Sequence, residues 1–111
     1  MGKRLVRKRA AEPDLADQVE YIAAEHPPAA RRYLLAVERA FERLLEMREM
    51  GVQRAFENKK LAGLRVWPVP GFRNSLIFYR VTRRSVQIVR IFHRAQDVPQ
   101  LLGETHRAKK R

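Results

Sequence analysis

The stretch from Leu64 to Asp97 constrains the fold most, because it shows three strand patterns in succession. β-Branched and aromatic residues, interspersed with arginines, predict strands over 64–69, 75–82 and 85–92. Pro70-Gly71 predicts a turn after the first of these strands. Arg83-Arg84 has the length of a hairpin connection, but two-residue hairpin turns favour glycine and asparagine, so we expect a wider turn. The strands are close in sequence, which predicts a mainly antiparallel sheet.

The hairpin formed by the last two strands is predicted to be apolar on both faces. If Thr82 pairs with Ser85, alternation along the strands assigns each side chain to a face. One face carries Ile77, Tyr79, Val81, Val86 and Ile88, and the other carries Leu76, Phe78, Val89 and Ile91. A helical layer covers one face in a domain of this size, so the second face needs another cover. Two covers fit the sequence equally well, a partner chain or a short C-terminal helix. That helix would use Val98, Leu101 and Leu102.

The chain before the strands has helical periodicity in two segments. The first predicted helix begins with Pro13 in its first position, runs to about residue 25 and ends at His26–Pro28, where two prolines interrupt the ladder. The second begins at residue 28 or 29 and runs to about Met50, with Gly51 as its stop. Because the connection is short, we expect the two helices to form an antiparallel hairpin whose apolar face packs on the sheet.

Two segments complete the predicted fold. Residues 3–9 favour a first strand or an extended arm, and residues 51–63 favour a loop containing a short strand or turn. At this length the chain buries one core. The sequence therefore predicts a single α+β domain over residues 1–111: an N-terminal strand, a two-helix hairpin on a mainly antiparallel sheet of about four strands, and a basic tail at about 106–111.

Charge and composition narrow the classes of partner. Lys and Arg number 24 against 12 Asp and Glu, a net charge of +12, which favours a polyanion or an acidic protein. The lack of cysteine excludes disulfides and thiolate metal sites and fits a reducing cytoplasm. No apolar run has the length of a membrane span, so we expect a soluble protein without a membrane partner. His26, His93 and His106 lack the spacing of metal ligands, and we expect no metal and no cofactor.

The candidate site residues are the arginines of the sheet and its exit, together with His93. Guanidinium groups make charge-assisted hydrogen bonds to carboxylates and phosphates, which is what an acidic partner or a nucleic acid would offer. These arginines are Arg65, Arg73, Arg80, Arg90 and Arg94. His93 has the chemistry of an acid or base, although a single histidine at a strand end is more often hydrogen-bonded locally. A general nucleic-acid-binding module would use the same charge.

Seven segments carry a resemblance to a known superfamily. They are Asp14-Leu15, Tyr21–Ala23, Pro28–Tyr33, Val37–Leu44, Gly63–Arg65, Ile77–Val81 and Ile88–Asp97. In this order, with a helical hairpin before the strands, they resemble the RelE/ParE superfamily, the toxins of type II toxin-antitoxin operons, also called plasmid stabilization proteins. The resemblance extends from about Leu5 to Leu102. It implies an acidic antitoxin whose C-terminal segment wraps the toxin and holds it inactive.

The ParE-like branch of this superfamily is the more similar. The strand Ile-Phe-Tyr-Arg and the ending Arg-x-x-His-x-x-x-Asp carry that similarity, which implies a toxin that inhibits DNA gyrase rather than an enzyme. The RelE-like branch, our alternative, implies ribosome-dependent cleavage of mRNA, which needs an acid or base and cations around the phosphate. That alternative would use His93, Arg65 and Arg80 in catalysis, with Glu57 as a remote second acid or base and Tyr79 as a stacking residue. Only Lys59 and Lys60 loosely match the paired basic residues of RelE-like sites, and the usual C-terminal tyrosine is absent.

Overall fold

Two helices and five strands make up the structure, a computed structural model that describes residues 4–56, 58–94, 96 and 101–102. The elements are β1 (Arg4–Arg7), α1 (Ala11–Glu25), α2 (Pro27–Glu46), β2 (Val52–Gln53), β3 (Arg65–Val69), β4 (Phe72–Val81) and β5 (Ser85–His93), with a 3₁₀ turn at Lys59–Leu61. The sheet order is β1-β5-β4-β3-β2, and β1 is parallel to β5 while the other neighbours are antiparallel. This confirms the predicted α+β fold with its N-terminal strand and helical hairpin. The sheet has five strands instead of four, because the predicted loop after α2 contains β2.

Both helices differ from their predicted bounds. Helix α1 begins two residues before Pro13, because the Ala11 N–H donates to the Lys8 carbonyl at 2.9 Å and starts the turn there. Helix α2 begins at Pro27, where a missing N–H costs nothing, and the His26 side chain accepts the Ala29 N–H at 3.1 Å. The same helix ends at residue 46 instead of about 50, since tertiary contacts described below hold the backbone from 48 to 51.

The main core lies between the helical hairpin and one face of the sheet. Helix α2 buries Tyr33, Val37, Phe41 and Leu44 against this face. The sheet contributes Ile77, Tyr79, Val86 and Ile88 to the cluster, with Val81 partly buried beside them. The prediction that these five residues share one face is thereby confirmed, and the structure shows that this is the face under the helices. The Thr82 N–H donates to the Ser85 carbonyl at 2.8 Å, which is the pairing on which that prediction rested.

One residue lies on the opposite face from its prediction. Ile91 was expected on the second face, but it aligns with Ile77 and belongs to the core under the helices. The reason is a β-bulge: Phe78 aligns with Arg90 while Tyr79 aligns with Ile88, so β5 has one extra residue at this point. An extra residue reverses the alternation of every side chain that follows it.

The second apolar face is covered in part by the loop between β2 and β3, a role that the sequence did not predict for it. The segment between β2 and β3 contributes Leu61 and Leu64, which are buried, and Phe56, which is partly buried. They pack with Val66, Leu76, Phe78 and Phe92. Leu102 also packs against this cluster, but residues 98–100 of the predicted C-terminal helix lie outside the described residues. Leu102 is one of the three tail residues predicted to cover this face, and the loop between β2 and β3 adds a cover that the sequence did not predict.

Two buried tyrosines predict a loss of stability in alkali. Burial raises the pKa of both the Tyr33 and Tyr79 phenols, opposed by hydrogen bonds with Ser75 and Gly51 respectively. In the folded state each pKa lies above the unfolded value of about 10. The neutral phenols therefore contribute their full stabilisation below about pH 10, and this contribution is lost as pH rises through the folded-state pKa. We expect the free energy of unfolding to fall above about pH 10, and to fall less steeply in Tyr79→Phe. Denaturant titrations at several pH values between about 8 and 11 measure this. The same dependence of unfolding free energy on pH in wild type and Tyr79→Phe would contradict it.

Candidate functional site

Two of the predicted arginines fix loops of the fold. The Arg65 guanidinium donates to the Gly51 carbonyl at 2.7 Å and to the Glu49 carbonyl at 3.3 Å. The Arg80 guanidinium donates to the carbonyls of Lys60 at 2.7 Å and Ala62 at 3.4 Å. Carbonyl groups in loops lack strand partners, so each guanidinium satisfies acceptors that secondary structure leaves open. Both side chains therefore stabilise loops in the isolated chain.

Arg90 is engaged inside the fold as well. Its Nε donates to Asp14 Oδ2 at 2.6 Å and its Nη2 to Asp14 Oδ1 at 2.9 Å, a bidentate pair. Its guanidinium carbon lies 4.6 Å from the centroid of the Phe92 ring. The Asp14 carboxylate raises the pKa of Arg90, chiefly through hydrogen bonding. The arginine thus joins β5 to the first turn of α1.

Arg73 and Arg94 lie exposed at the end of the sheet where β4 begins and β5 ends. The Arg94 backbone N–H donates to the Asn74 carbonyl at 2.6 Å, and its guanidinium donates to the Arg73 carbonyl at 3.2 Å. Those contacts hold the two residues on one edge. In the described part of the chain neither side chain forms an ion pair. Both positive charges are therefore accessible to a partner.

A groove of about 340 Å³ contains His93, the residue directly before Arg94, in its lining, and we call it the sheet-exit groove. It is lined by Asp17, Gln18, Tyr21, His93 and Gln96. Tyr21 is 74% exposed, and its ring meets that of His93 edge to face with 6.5 Å between the centroids. A carboxylate, two amides, a phenol and an imidazole give the groove hydrogen-bonding groups of both kinds. The groove can therefore bind a polar partner from several sides.

The exit of β5 is fixed by a short turn. The His93 N–H donates to Gln96 Oε1 at 2.6 Å, and the Gln96 N–H donates to the His93 carbonyl at 3.0 Å. Sequence analysis identified His93 but did not assign Tyr21 or Gln18 to the site. The available signal was that Tyr21 lies outside the apolar stripe of the first helix, in which Leu15, Val19 and Ile22 recur at helical spacing.

The three residues required by the RNA-cleavage alternative are not brought together. Arg65 aligns with Tyr79 in the sheet, whereas His93 aligns with Ser75, four residues along β4 and about 13 Å away. Arg80 follows Tyr79 directly, so its side chain leaves the opposite face of the sheet. Glu57 lies outside the described residues. This arrangement does not place an imidazole and two guanidiniums around one phosphate.

Within residues 4–56, 58–94, 96 and 101–102, no group of three or more His, Cys, Asp or Glu side chains is placed to hold a metal ion. Across those positions no helix is long and apolar enough to span a bilayer. The arrangement at the sheet exit is one of exposed hydrogen-bonding groups and two accessible cations, which suits binding.

Comparisons with known proteins agree with the fold and with the pattern of segments in the sequence. The family model described as "ParE toxin of type II toxin-antitoxin system, parDE" matches residues 5–98. Among solved structures, the chain is similar to one from the chromosomal ParDE TA system of P. aeruginosa, with a TM-score of 0.67 and 21% identity over 82% of this chain and 95% of that chain. At this identity the structural likeness shows a shared fold. No curated protein sequence gives a significant match.

Proposed function

The chain belongs to the ParE toxin family of type II toxin-antitoxin systems, and from this premise we propose that it inhibits DNA gyrase by protein contact and is neutralised by an acidic antitoxin. The family membership confirms the resemblance seen in the sequence. Gyrase as the target, the cytoplasm as the place of action and the acidic antitoxin are our proposals. The net charge of +12 supports an acidic partner, because a field of that sign speeds encounter with negative surfaces.

The observation that carries this proposal is the separation of the predicted arginines into two groups. Arg65, Arg80 and Arg90 are held by carbonyls or by a carboxylate of the fold. Arg73 and Arg94 remain exposed where β4 begins and β5 ends. A binding surface needs accessible cations that make charge-assisted hydrogen bonds, and it needs no acid-base pair. We assign the contact with the target to the exposed pair and to the groove residues Tyr21 and His93.

Cleavage of mRNA is the less supported alternative. It needs a general acid or base near the reacting oxygen and cations around the same phosphate. His93, Arg65 and Arg80 are spread over two faces and about 13 Å of the sheet, so they do not meet that requirement. A nucleic-acid-binding module with no protein target is also less supported, since the family is one of toxins paired with a second protein.

The test is induced expression with two assays, gyrase supercoiling and transcript cleavage at the ribosome. We expect the wild-type protein to inhibit supercoiling. The variant Arg73→Glu/Arg94→Glu should reach the same inhibition only at a protein concentration at least about tenfold higher. The charge-matched control is Arg4→Glu/Arg84→Glu, which changes two exposed arginines at the end of β5 opposite to His93 and should inhibit like wild type.

Two results would reverse the proposal. Transcript cleavage that His93→Ala abolishes, with supercoiling unaffected by the wild-type protein, would establish the nuclease alternative. Equal inhibition by the sheet-exit variant and its control would remove Arg73 and Arg94 from the target surface. Circular dichroism and thermal unfolding of both variants confirm that any loss is not a loss of fold.

A further inference from the structure

A second groove lies on the opposite side of the helical hairpin from β1, and we call it the α2–β3 groove. It has a volume of about 280 Å³ and shares no residue with the sheet-exit groove. Its lining is Ala36, Arg39, Ala40, Arg43, Met50, Trp67 and Pro70. Helix α2 lies between this groove and β1. On its β1 side, the Glu38 carboxylate pairs with Arg7 of β1 at 3.0 Å, which fixes the orientation of the helix.

The rim of this groove is basic. Arg39 and Arg43 are one helical turn apart, and both are exposed. Among the residues that the structure describes, neither takes part in an ion pair, and the Arg43 guanidinium reaches only the Met47 sulfur, at 3.9 Å. Arg32, seven residues before Arg39, adds an exposed cation to the same flank of the helix. Since the lining contains no acidic residue, this rim favours carboxylates spaced by about one helical turn.

The floor of the groove is apolar and open. Trp67 aligns with Ile77, which places its indole on the helix side of the sheet, and it is partly buried against the main core. Facing it, α2 presents the small side chains of Ala36 and Ala40, which leave the space unfilled. The volume is at or just below the lower limit of small-molecule pockets, about 300 Å³. It suits one or two large apolar side chains of a partner, the usual anchor of a protein interface.

A protein segment fits these features better than a nucleic acid. Strands of DNA or RNA bind through a path of phosphate contacts and stacked bases. The α2–β3 groove has only two guanidiniums and one indole, and its other lining side chains are alanine, methionine and proline. Those side chains form no hydrogen bonds to a base or sugar.

We propose that the α2–β3 groove docks an acidic amphipathic segment of the antitoxin, with one large apolar side chain against Trp67 and carboxylates on Arg39 and Arg43. This inference rests on the proposed function, because it takes the antitoxin as the occupant. It places the antitoxin on a surface separate from the sheet-exit groove assigned to the target.

Trp67 makes the groove directly observable, because it is the one tryptophan of the chain. The probe is the purified acidic product of the short reading frame beside the toxin gene, with any tryptophan replaced by phenylalanine. We expect its addition to shift the Trp67 emission to shorter wavelength and to reduce quenching by acrylamide. Arg39→Glu/Arg43→Glu should weaken binding about 100-fold, roughly tenfold for each reversed charge. The control Arg4→Glu/Arg84→Glu, on β1 and the β4–β5 connection, carries the same change in net charge and should stay within about threefold of wild type.

A third variant separates shape from charge. Ala36→Arg fills the groove and also adds a positive charge, so simple attraction of the acidic probe predicts tighter binding. Docking in the groove predicts weaker binding, by about tenfold or more. Ala24→Arg, at an exposed position of α1, adds the same charge outside the groove and serves as its control.

The outcomes distinguish this inference from the proposed function. If wild type binds the probe and Arg39→Glu/Arg43→Glu binds it as tightly as its control does, the groove assignment is overturned while the antitoxin proposal stands. If no such reading frame exists, or its product does not bind wild type, both are overturned. If a single-stranded oligonucleotide shifts the Trp67 emission and the acidic product does not, the groove is a nucleic-acid site and the inference is wrong.

Discussion

Replacing Gly51 by alanine is expected to destabilise the fold by about 3 to 5 kcal/mol. A Cβ atom at this position would lie 2.6 Å from Tyr79 Oη, 2.7 Å from Tyr79 Cε1 and 2.9 Å from the Val66 carbonyl oxygen. None of these atoms moves freely. Tyr79 is fully buried, and its hydroxyl accepts the Gly51 N–H at 2.7 Å and donates to the Arg48 carbonyl at 2.9 Å. Urea unfolding should show a lower midpoint with an unchanged slope.

The comparison variant for Gly51→Ala is Gly71→Ala. Gly71 has φ +85° and no atom within 4 Å of a Cβ, so its substitution tests left-handed backbone without a clash. Its cost should be about 1 to 2 kcal/mol, less than that of the Gly51 variant. In a Tyr79→Phe background the nearest clashing atom is gone, and the cost of Gly51→Ala should fall. Equal costs in the two backgrounds would contradict the clash as the cause.

The same contacts explain why α2 stops short and connect the fold to the proposed docking groove. Tyr79 and Arg65 together bind the backbone of residues 48, 49 and 51, which therefore leaves the helical path. Met50 lies within this fixed segment and lines the α2–β3 groove. Loosening the tyrosine contact should therefore weaken antitoxin docking as well as the fold.

The sequence predicts those parts of the fold that depend on periodicity. The stripe predicted at helical spacing in α2 is buried at four of its five positions, and Leu34 is the exception at 40% exposed; the stripe is Ala30, Leu34, Val37, Phe41 and Leu44. Ile77, Tyr79 and Ile88 alternate from the Thr82–Ser85 pairing and face the helices. In each case neighbours in the pattern are neighbours in space, so local spacing carries the information.

Other features depend on contacts between distant residues, and periodicity does not record them. The bulge that reverses Ile91 inserts one residue in β5, and the pairing of this strand with β4 fixes its position. The cover of the second face uses Leu61 and Leu64 from a segment with no repeating pattern. The roles of Arg65 and Arg80 depend on loop carbonyls 14 and 20 residues away. In the sequence, an arginine that fixes a loop therefore cannot be distinguished from one that binds a partner.

Breaking the pair between Asp14 and Arg90 is expected to have the second large effect, about 2 to 4 kcal/mol for Asp14→Ala. The last described hydrogen bond between β1 and β5 runs from the Lys8 N–H to the Ile88 carbonyl at 2.9 Å. Beyond it Asp14 Oδ2 takes the place of a strand and accepts the Ile91 N–H at 3.0 Å. Removing the carboxylate leaves that N–H unpaired, together with a guanidinium whose side chain is 25% exposed.

Matched variants separate this effect from a change in charge. Glu38→Ala removes a carboxylate from the exposed pair with Arg7, where the side chains are 55% and 33% exposed, and should cost less than about 1 kcal/mol. Arg90→Met alone leaves the carboxylate half paired, whereas Asp14→Ala/Arg90→Met removes both charges, so the double variant should lose less than the sum of the single losses. Chemical denaturation of wild type, the two single variants and the double variant measures this coupling. If the stability losses of the two single variants add up to that of the double variant, the two charges are not coupled. If Asp14→Ala costs no more than Glu38→Ala, the ion pair is not what holds β5 beside α1.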